Sequence, residues 1–141
     1  MTLSISVTDD LAACFALRDR VFVVEQGVPA ALDRDALDAS ATHLLAVQDA
    51  TPVGTARIVF NDDTAKIGRV CVLPSTRGTG LGAKLIKAAV DTARAHPGIA
   101  RAKLGAQVHA IGFYEKLGFT VLGPVYDDAG IDHRDMVHDF T

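Results

Sequence analysis

A glycine-rich turn is the stretch whose residue types and spacing best suit a chemical task. It reads Arg77-Gly78-Thr79-Gly80-Leu81-Gly82 and is followed by Ala83, between a predicted strand and a predicted helix. Amide groups at the start of a helix point out of its end, and the helix dipole favours a negative charge there. Glycines let the backbone approach such an anion closely. The turn therefore predicts a diphosphate site, with Arg77 available to pair with a phosphate.

Other interpretations of this turn are weaker. The three glycines could simply make a tight connection between a strand and a helix. The spacing G-x-G-x-x-A also satisfies the dinucleotide fingerprint, but residues 97–101 lack the acidic residue expected about 20 positions on. A P-loop requires Ser or Thr after its lysine, whereas Leu85 follows Lys84.

The elements that must position the turn predict a mixed α/β fold. Apolar patterns indicate strands over residues 3–7, 43–48, 53–60, 66–73, 102–108, 119–122 and 136–140. Amphipathic patterns indicate a helix capped by Thr8 or Asp9, a second that begins near Leu81, and a short third around 110–117. We therefore expect one central sheet flanked by helices, in a single domain over residues 1–141.

The composition bears on partners and location. The net charge is −3, and no cluster of Lys and Arg marks a nucleic-acid surface. No apolar run reaches the roughly 18 to 20 residues that cross a membrane, so a cytoplasmic protein without a membrane partner is expected. Cys14 and Cys71 match no metal-ligand spacing, so we predict buried thiols and no metal. Acidic residues in 33–38 and 127–139 predict solvated surfaces that could attract a cationic substrate.

Three blocks of the sequence resemble the GNAT superfamily of N-acetyltransferases. The first block is the turn together with residues 70–74, Val-Cys-Val-Leu-Pro, before it. It resembles the family's signature, in which Arg or Gln is followed by any two residues, Gly, any one residue, and Gly or Ala. Residues 110–119, one predicted helix and strand later, resemble its second motif. Residues 20–29, Arg-Val-Phe-Val-Val-Glu-Gln-Gly-Val-Pro, are similar to the ElaA-like branch. This resemblance, over nearly the whole chain, implies a mostly antiparallel sheet with a splayed parallel pair.

The resemblance also implies a cosubstrate, acetyl-CoA, and a set of residues that bind it. The coenzyme-binding residues predicted in this way are Val70, Cys71, Val72, Arg77, Gly78, Thr79, Gly80, Leu81, Gly82, Ala83, Gln107 and Tyr114. The first three would hold the pantetheine arm, and residues 77–83 the pyrophosphate. An N–H near Val72 would polarise the thioester carbonyl, and Tyr114 would protonate the departing thiolate. Many relatives carry Asn where this chain has Gln107. A homodimer is a further implication of the family likeness.

Amide formation places one more demand on the site. A neutral amine must attack the thioester carbonyl, so a group must accept a proton directly or through water. Glu25, at the end of the first helix, is the predicted base, and the further candidates are His43, His109 and His133. The sequence thus predicts acetyl transfer to a primary amine of a small molecule or peptide by direct attack. The alternative is a module that senses the coenzyme without chemistry.

Overall fold

The computed structural model describes residues 2–140, which form seven strands and four α-helices; the strands and three of the helices follow the predicted order, and the single-turn helix α2 was not predicted. The strands are β1 (Leu3–Thr8), β2 (Thr42–Gln48), β3 (Thr51–Asn61), β4 (Thr64–Val72), β5 (Arg101–Gln107), β6 (Thr120–Asp128) and β7 (Ile131–Asp139). The helices are α1 (Leu11–Arg18), α2 (Ala30–Asp33), α3 (Leu81–Ala95) and α4 (Ile111–Glu115), and Asp19–Glu25 continues α1 as a π-helix. Among these described elements, no helix combines the length and apolar character that crossing a membrane requires.

The strands form one sheet in the order β1-β2-β3-β4-β5-β7-β6. Every neighbouring pair is antiparallel except β4 and β5, which are parallel. Residues 64–66 of β4 pair with residues 101–103 of β5, and the parallel ladder of the described chain ends there. The predicted fold class, a mixed α/β fold with a mostly antiparallel sheet and a splayed parallel pair, is confirmed.

Helix α3 covers one face of the sheet with the apolar stripe that its sequence predicts. The buried residues of this stripe are Leu81, Leu85, Ile86, Ala89, Val90 and Ala93. Most of them pack on central strand residues that include Ile58, Ile67 and Leu104. Burying one such aliphatic side chain stabilises the fold by roughly 1.5–3 kcal/mol. The packing of this apolar stripe on the sheet therefore fixes the position of α3, and with it the position of the glycine-rich turn that precedes the helix.

Helix α1 covers the opposite face, where it lies mainly over β3 and also contacts β2 and β4. Asp10 caps this helix by accepting a hydrogen bond from the Ala13 N–H at 3.1 Å, one residue later than predicted. Cys14 and Val21 of the helical segment pack with Leu45 and Cys71 in a second buried cluster. Neighbouring strand residues point to opposite faces, so the two helices enclose the sheet between two apolar layers.

The two C-terminal strands are longer than predicted. Short strands were expected over 119–122 and 136–140, but β6 and β7 have nine residues each and form a hairpin that includes most of the acidic tail. All of β6 is exposed, because it is an edge strand. A strand exposed on both faces needs no alternation of apolar and polar residues, so the sequence pattern did not predict the full length of β6. Gly105 leaves room for the Tyr126 phenol, which donates to Asp135 Oδ1 at 2.8 Å.

The acidic segment 33–38 is not the solvated surface that was predicted, since Asp33 and Asp38 are only 2% and 5% exposed. Arg18 of α1 donates to Asp33 Oδ2 at 3.2 Å and to Asp38 Oδ1 at 2.8 Å. Buried charges are stable only when paired. The full network, called the arginine–aspartate cluster below, comprises Arg18, Asp33, Asp35, Asp38, Arg57 and Arg69. Its charges balance, so the segment offers no net attraction for a cationic substrate.

Candidate active site

The gap between β4 and β5 opens at a bulge in β4. Gly68 lies opposite Arg57 of β3 and Cys71 lies opposite Thr55, so β4 carries one extra residue in this interval. Arg69, in the bulge, has a φ of 51°, and its Nε donates to the Asp33 carbonyl at 2.8 Å. A bulge bends its strand and increases the local twist. β5 meanwhile stays paired with β7 as far as its end, so the two parallel strands separate.

The separation leaves an edge of β4 without a strand neighbour. Within the described sheet, residues 67–72 make no ladder pair with β5, although β4 still pairs with β3 on its other side. Backbone groups along such an edge can bind an extended ligand as an added strand would. Val70, Cys71 and Val72, the residues predicted to hold the pantetheine arm, lie on this segment.

The glycine-rich turn has the geometry of an anion site. Gly78 and Gly80 have φ of 80° and 85°, and a side chain built at either would meet no other atom within 4 Å. Helix α3 begins directly after Gly80, and no side chain of the described residues caps its first turn. The first amide groups of a helix lack partners within it. The N–H groups of the first helical residues are thus without a side-chain cap, and space is open beside Gly78 and Gly80, as a diphosphate would require.

The turn is held in shape by its own hydrogen bonds. The Arg77 N–H donates to the Pro74 carbonyl at 3.2 Å, and the Thr79 hydroxyl donates to the Thr76 carbonyl. The Thr76 hydroxyl in turn donates to the Leu73 carbonyl at 2.8 Å. The donors are the Arg77 N–H and two threonine hydroxyls, all before the helix, so none of these bonds uses an amide group of the first turn of α3.

Arg77 and Glu25, predicted to serve the pyrophosphate and the amine respectively, are paired with each other. The two Arg77 Nη atoms donate to the Glu25 carboxylate at 2.5 and 2.8 Å, and Nη2 also donates to the Val72 carbonyl at 3.2 Å. The hydrogen bond from Arg77 lowers the pKa of Glu25. This pair ties the end of the π-helix to the turn. It also weakens Glu25 as a proton acceptor in this arrangement.

Tyr114 lies on α4 with its ring packed edge-on between two phenylalanines. The ring centroids of Phe113 and Phe119 are 5.1 and 6.1 Å from its own. Burial raises the pKa of Tyr114, so the phenol is protonated at neutral pH. A methyl group at Gly82 would lie 3.7 Å from Phe113 Cζ, so α4 packs against the first turn of α3. The helix of Tyr114 and the turn predicted to bind the diphosphate are therefore neighbours.

Gln107, at the end of β5, belongs to a short polar chain that the sequence did not reveal. Its Nε2 donates to Gln26 Oε1 at 3.4 Å, and its Oε1 lies 2.7 Å from His109 Nε2. Gln26 follows the π-helix and is 81 positions away in sequence, so no local pattern could connect these residues. The chain links the end of α1 to the end of β5, across the mouth of the gap.

The other sequence candidates lie in different surroundings. His43 is buried, with Nε2 2.9 Å from the Asp38 carbonyl, next to the arginine–aspartate cluster. His133 lies opposite Gln107 in β7 and stacks on Tyr126 at 5.9 Å. Both predicted thiols are free and buried, and burial raises the pKa of Cys71 to about 12. Cys71 is therefore a strand residue and not a thiolate nucleophile.

Two further features concern ions. Among residues 2–140, no group of three or more His, Cys, Asp or Glu side chains could hold a metal. Asp127, Asp128 and Asp132 of the β6–β7 hairpin lie beyond the pair formed by Gln107 and His133, so the hairpin tip extends past the end of β5. Asp127 and Asp132 are cross-strand partners there. The negative charge near the site is therefore at the hairpin tip and not in the segment 33–38.

Comparison with known proteins agrees with this geometry. The family model described as an acetyltransferase (GNAT) domain matches residues 6–140. The uncharacterized N-acetyltransferase YjcF of Bacillus subtilis is 38% identical over 93% of this chain and 94% of its own. ElaA of Escherichia coli is 36% identical over 92% of this chain and 87% of its own.

Solved structures extend the comparison to the fold. The crystal structure of Escherichia coli ElaA matches with a TM-score of 0.88 at 31% identity, over 98% of this chain and all of that one. An acyl-CoA N-acyltransferase from Pseudomonas aeruginosa matches with a TM-score of 0.84 at 29% identity, over 97% and 99% of the two chains.

Proposed function

The chain belongs to the GNAT family of acetyltransferases, in its ElaA-like branch, and we propose that it acetylates a primary amine of a small molecule or peptide by direct attack. One observation supports this proposal above the others. The open, uncapped start of α3 lies beside both the free edge of β4 and the helix that carries Tyr114. These features suit the diphosphate, the extended arm and the leaving sulfur of a single cosubstrate.

We propose that different residues bind different parts of acetyl-CoA. The amide groups of residues 81–83 bind the pyrophosphate, with Gly78 and Gly80 allowing its close approach. Backbone groups of residues 70–72 on the unpaired edge of β4 orient the pantetheine arm, apart from the Val72 carbonyl, which accepts from Arg77. An N–H near Val72 donates to the thioester oxygen as negative charge develops there. Acetyl-CoA supplies the activated acetyl group. Holding both substrates in one gap reduces the entropy cost of their reaction.

Proton transfer is the remaining part of the proposal. Tyr114, protonated at neutral pH, donates its proton to the departing sulfur. Glu25 remains the predicted base, but its bond to Arg77 does not favour that role. His109 is the alternative that the geometry favours, because it is hydrogen-bonded to Gln107 at the end of β5. It would accept the amine proton directly or through water.

The acceptor side and the assembly complete the proposal. We propose that the hairpin tip, with Asp127, Asp128 and Asp132, attracts an amine that is cationic in solution. The exposed edge strand β6, which carries Leu122 and Val125 at 52% exposure each, offers a surface to a second copy of the chain.

A cytoplasmic location remains a prediction.

The test is an assay of thiol release from acetyl-CoA with a panel of amines. We expect release that depends on a specific amine, and Tyr114→Phe should lower kcat about a hundredfold or more. The variant keeps the ring between Phe113 and Phe119, so coenzyme affinity, measured by calorimetry, should stay close to that of the unmodified protein. Binding without amine-dependent release would instead support a coenzyme sensor. Full turnover in the variant would exclude Tyr114 as the acid.

A further inference from the structure

A small cavity lies against the bulge of β4, on the face of the sheet opposite α3. Its volume is about 80 Å³, and we call it the bulge cavity. Ile58 packs with the buried residues of α3, and neighbouring strand residues point to opposite faces, so Arg57 and Val59 lie on the other face. The residues that line the bulge cavity are Leu37, Arg57, Val59, Lys66, Gly68 and Arg69.

The lining of the bulge cavity carries more positive than negative charge. Arg57 Nη1 donates to Asp35 Oδ1 and Asp38 Oδ1 at 2.7 and 3.0 Å, and Arg69 Nη2 donates to Asp35 Oδ2 at 3.3 Å. Both arginines belong to the arginine–aspartate cluster, whose charges balance. Lys66 lines the same cavity and has no acidic partner in residues 2–140. One positive charge therefore remains uncompensated.

Arg57 also carries a donor without an acceptor. The residue is only 7% exposed, and its buried Nε makes no hydrogen bond to any described residue. Buried polar atoms in folded proteins normally have a partner, and leaving one unpaired is costly. Burial and the nearby charge of Arg57 lower the pKa of Arg69, because the cations are crowded here. An orphaned donor beside an uncompensated positive charge indicates an anion.

The space in the bulge cavity limits the size of that anion. Gly68 lies opposite Arg57 in the ladder of β3 and β4, and a side chain built at Gly68 would meet no atom within 4 Å. One water molecule needs about 10–15 Å³, so the cavity holds a group of a few atoms and not a nucleotide. Leu37 and Val59 supply apolar contacts for the carbon of such a group.

We propose that the bulge cavity binds a carboxylate group, which accepts a hydrogen bond from Arg57 Nε–H and pairs with Lys66. The single negative charge of this group matches the single uncompensated positive charge. Lys66 and Leu37 are exposed, so the group can be a free small acid or the end of a larger molecule, including the amine acceptor. Arg69 belongs to the bulge that separates β4 from β5, so a bound carboxylate holds the strand where the gap opens.

A titration with formate, followed by proton–nitrogen NMR spectroscopy, tests the site directly. The Arg57 Nε–H and Gly68 N–H signals should shift together and saturate, whereas chloride at the same ionic strength should not move them. Lys66→Met should weaken formate binding about tenfold, because it removes the uncompensated charge. Gly68→Val keeps every charge but fills the cavity, and should abolish the shift of the Arg57 signal.

The matched control is Lys103→Met. Lys103 lies opposite Lys66 in the parallel ladder but outside the bulge cavity, and it pairs with Asp135 at 3.5 Å. Formate should bind this variant as it binds the unmodified protein. An equal loss in Lys66→Met and Lys103→Met would overturn the proposal, because it would show diffuse attraction to this face of the sheet.

The source of the carboxylate is identified in the thiol-release assay, and this part of the inference rests on the proposed function. The assay compares lysine with cadaverine, which is lysine without its carboxylate. If the group belongs to the acceptor, Lys66→Met should raise KM about tenfold for lysine alone. If the group is a free acid, Lys66→Met should leave both KM values unchanged while still weakening formate binding.

Two further results would overturn the proposal. Formate shifts that rise without saturation, or a titration that leaves the Arg57 Nε–H signal unmoved, would show that no carboxylate binds there. Lys66→Met decides the question if Gly68→Val fails to fold, since Lys66 is exposed. The NMR measurements need no coenzyme, so their failure leaves the proposed function intact. A protein that binds formate but releases no thiol would lose the proposed function and keep this site.

Discussion

The glycine-rich turn and the arginine–aspartate cluster both gather polar groups beside the sheet, but they differ in whether those groups have partners. In the cluster, each buried carboxylate accepts hydrogen bonds from a guanidinium group. In the turn, the first amide groups of α3 have no side-chain cap among residues 2–140, and space is open beside Gly78 and Gly80. Groups paired within the protein stabilise its fold, whereas the uncapped amide groups at the start of a helix remain available to an anion.

The ion pairs of the arginine–aspartate cluster serve the structure of the site and not the binding of acetyl-CoA. The cluster anchors the segment 33–38 over the sheet, and Arg69 connects it to the bulge of β4 through the Asp33 carbonyl. The cluster therefore acts on the site indirectly, by fixing the strand that opens the gap. Its carboxylates have their partners within the protein, so its disruption should affect stability first and coenzyme binding second.

The largest effect is expected from Arg18→Met. The change leaves Asp33 and Asp38 buried without their main cation, and breaking a buried ion pair from one side costs about 3–5 kcal/mol. Urea denaturation should show a loss of unfolding free energy of that size. The triple variant R18M/D33N/D38N removes the unpaired charges and should recover part of the loss. A change below about 1 kcal/mol would contradict the role assigned to the cluster.

A smaller effect is expected from acid. Burial opposes the ionisation of Asp38, but hydrogen bonds from Arg18 and from the Asp35 N–H outweigh it and hold its pKa below the usual range. A carboxyl whose pKa is lower in the folded state stabilises the protein above its unfolded pKa, about 3.9. That stability is lost as pH falls through the folded value. Unfolding free energy should therefore decline below about pH 4.

The control for this acid effect is Asp38→Asn, which has no carboxyl to protonate at this position. Its unfolding free energy should be lower than that of the unmodified protein at pH 7 and should fall less steeply between about pH 4 and pH 2. Parallel pH profiles for the two proteins would show that the Asp38 carboxylate contributes nothing to acid sensitivity.

The smallest effect is expected from Gly80→Ala, matched with Gly98→Ala at the other end of α3. Gly80 and Gly98 have φ of 85° and 81°, and a side chain at either would meet no protein atom within 4 Å. Each change should lower unfolding free energy by about 1–2 kcal/mol through left-handed strain. Only Gly80→Ala should weaken coenzyme binding as well, by about tenfold, because the added methyl group occupies the approach to the amides.

Calorimetry with coenzyme A on both glycine variants measures the difference. If Gly98→Ala weakened binding as much as Gly80→Ala, the loss would come from the helix as a whole and not from the turn. If neither variant weakened coenzyme binding, the turn would be only a tight connection between β4 and α3, which is the alternative that its three glycines also allow.

Features encoded by nearby residues could be predicted from the sequence. The turn, the stripe of α3 from Leu81 to Ala93 and the meander of β2, β3 and β4 each depend on periodicity or turn chemistry within one segment. The structure confirms these elements to within a few residues. It also confirms Cys14 and Cys71 as buried thiols.

Features that join distant residues could not be predicted. The arginine partners of Asp38 come from α1 and β3, 20 and 19 positions away, and only folding brings them together. The pairing of Arg77 with Glu25 spans 52 positions, so the sequence assigned them separate tasks. The β6–β7 hairpin was underestimated because an exposed edge strand has no buried face to impose alternation.

The short parallel ladder between β4 and β5 has a consequence for how the sequence can vary. The edge that it frees consists of main-chain amides and carbonyls, which every residue except proline supplies alike. Side chains at Val70 and Val72 can therefore be exchanged for others of similar volume without loss of that edge. A one-residue deletion within the bulge would instead realign β4 and narrow the opening. Changes in residue identity should be tolerated along this edge, whereas changes in chain length should not.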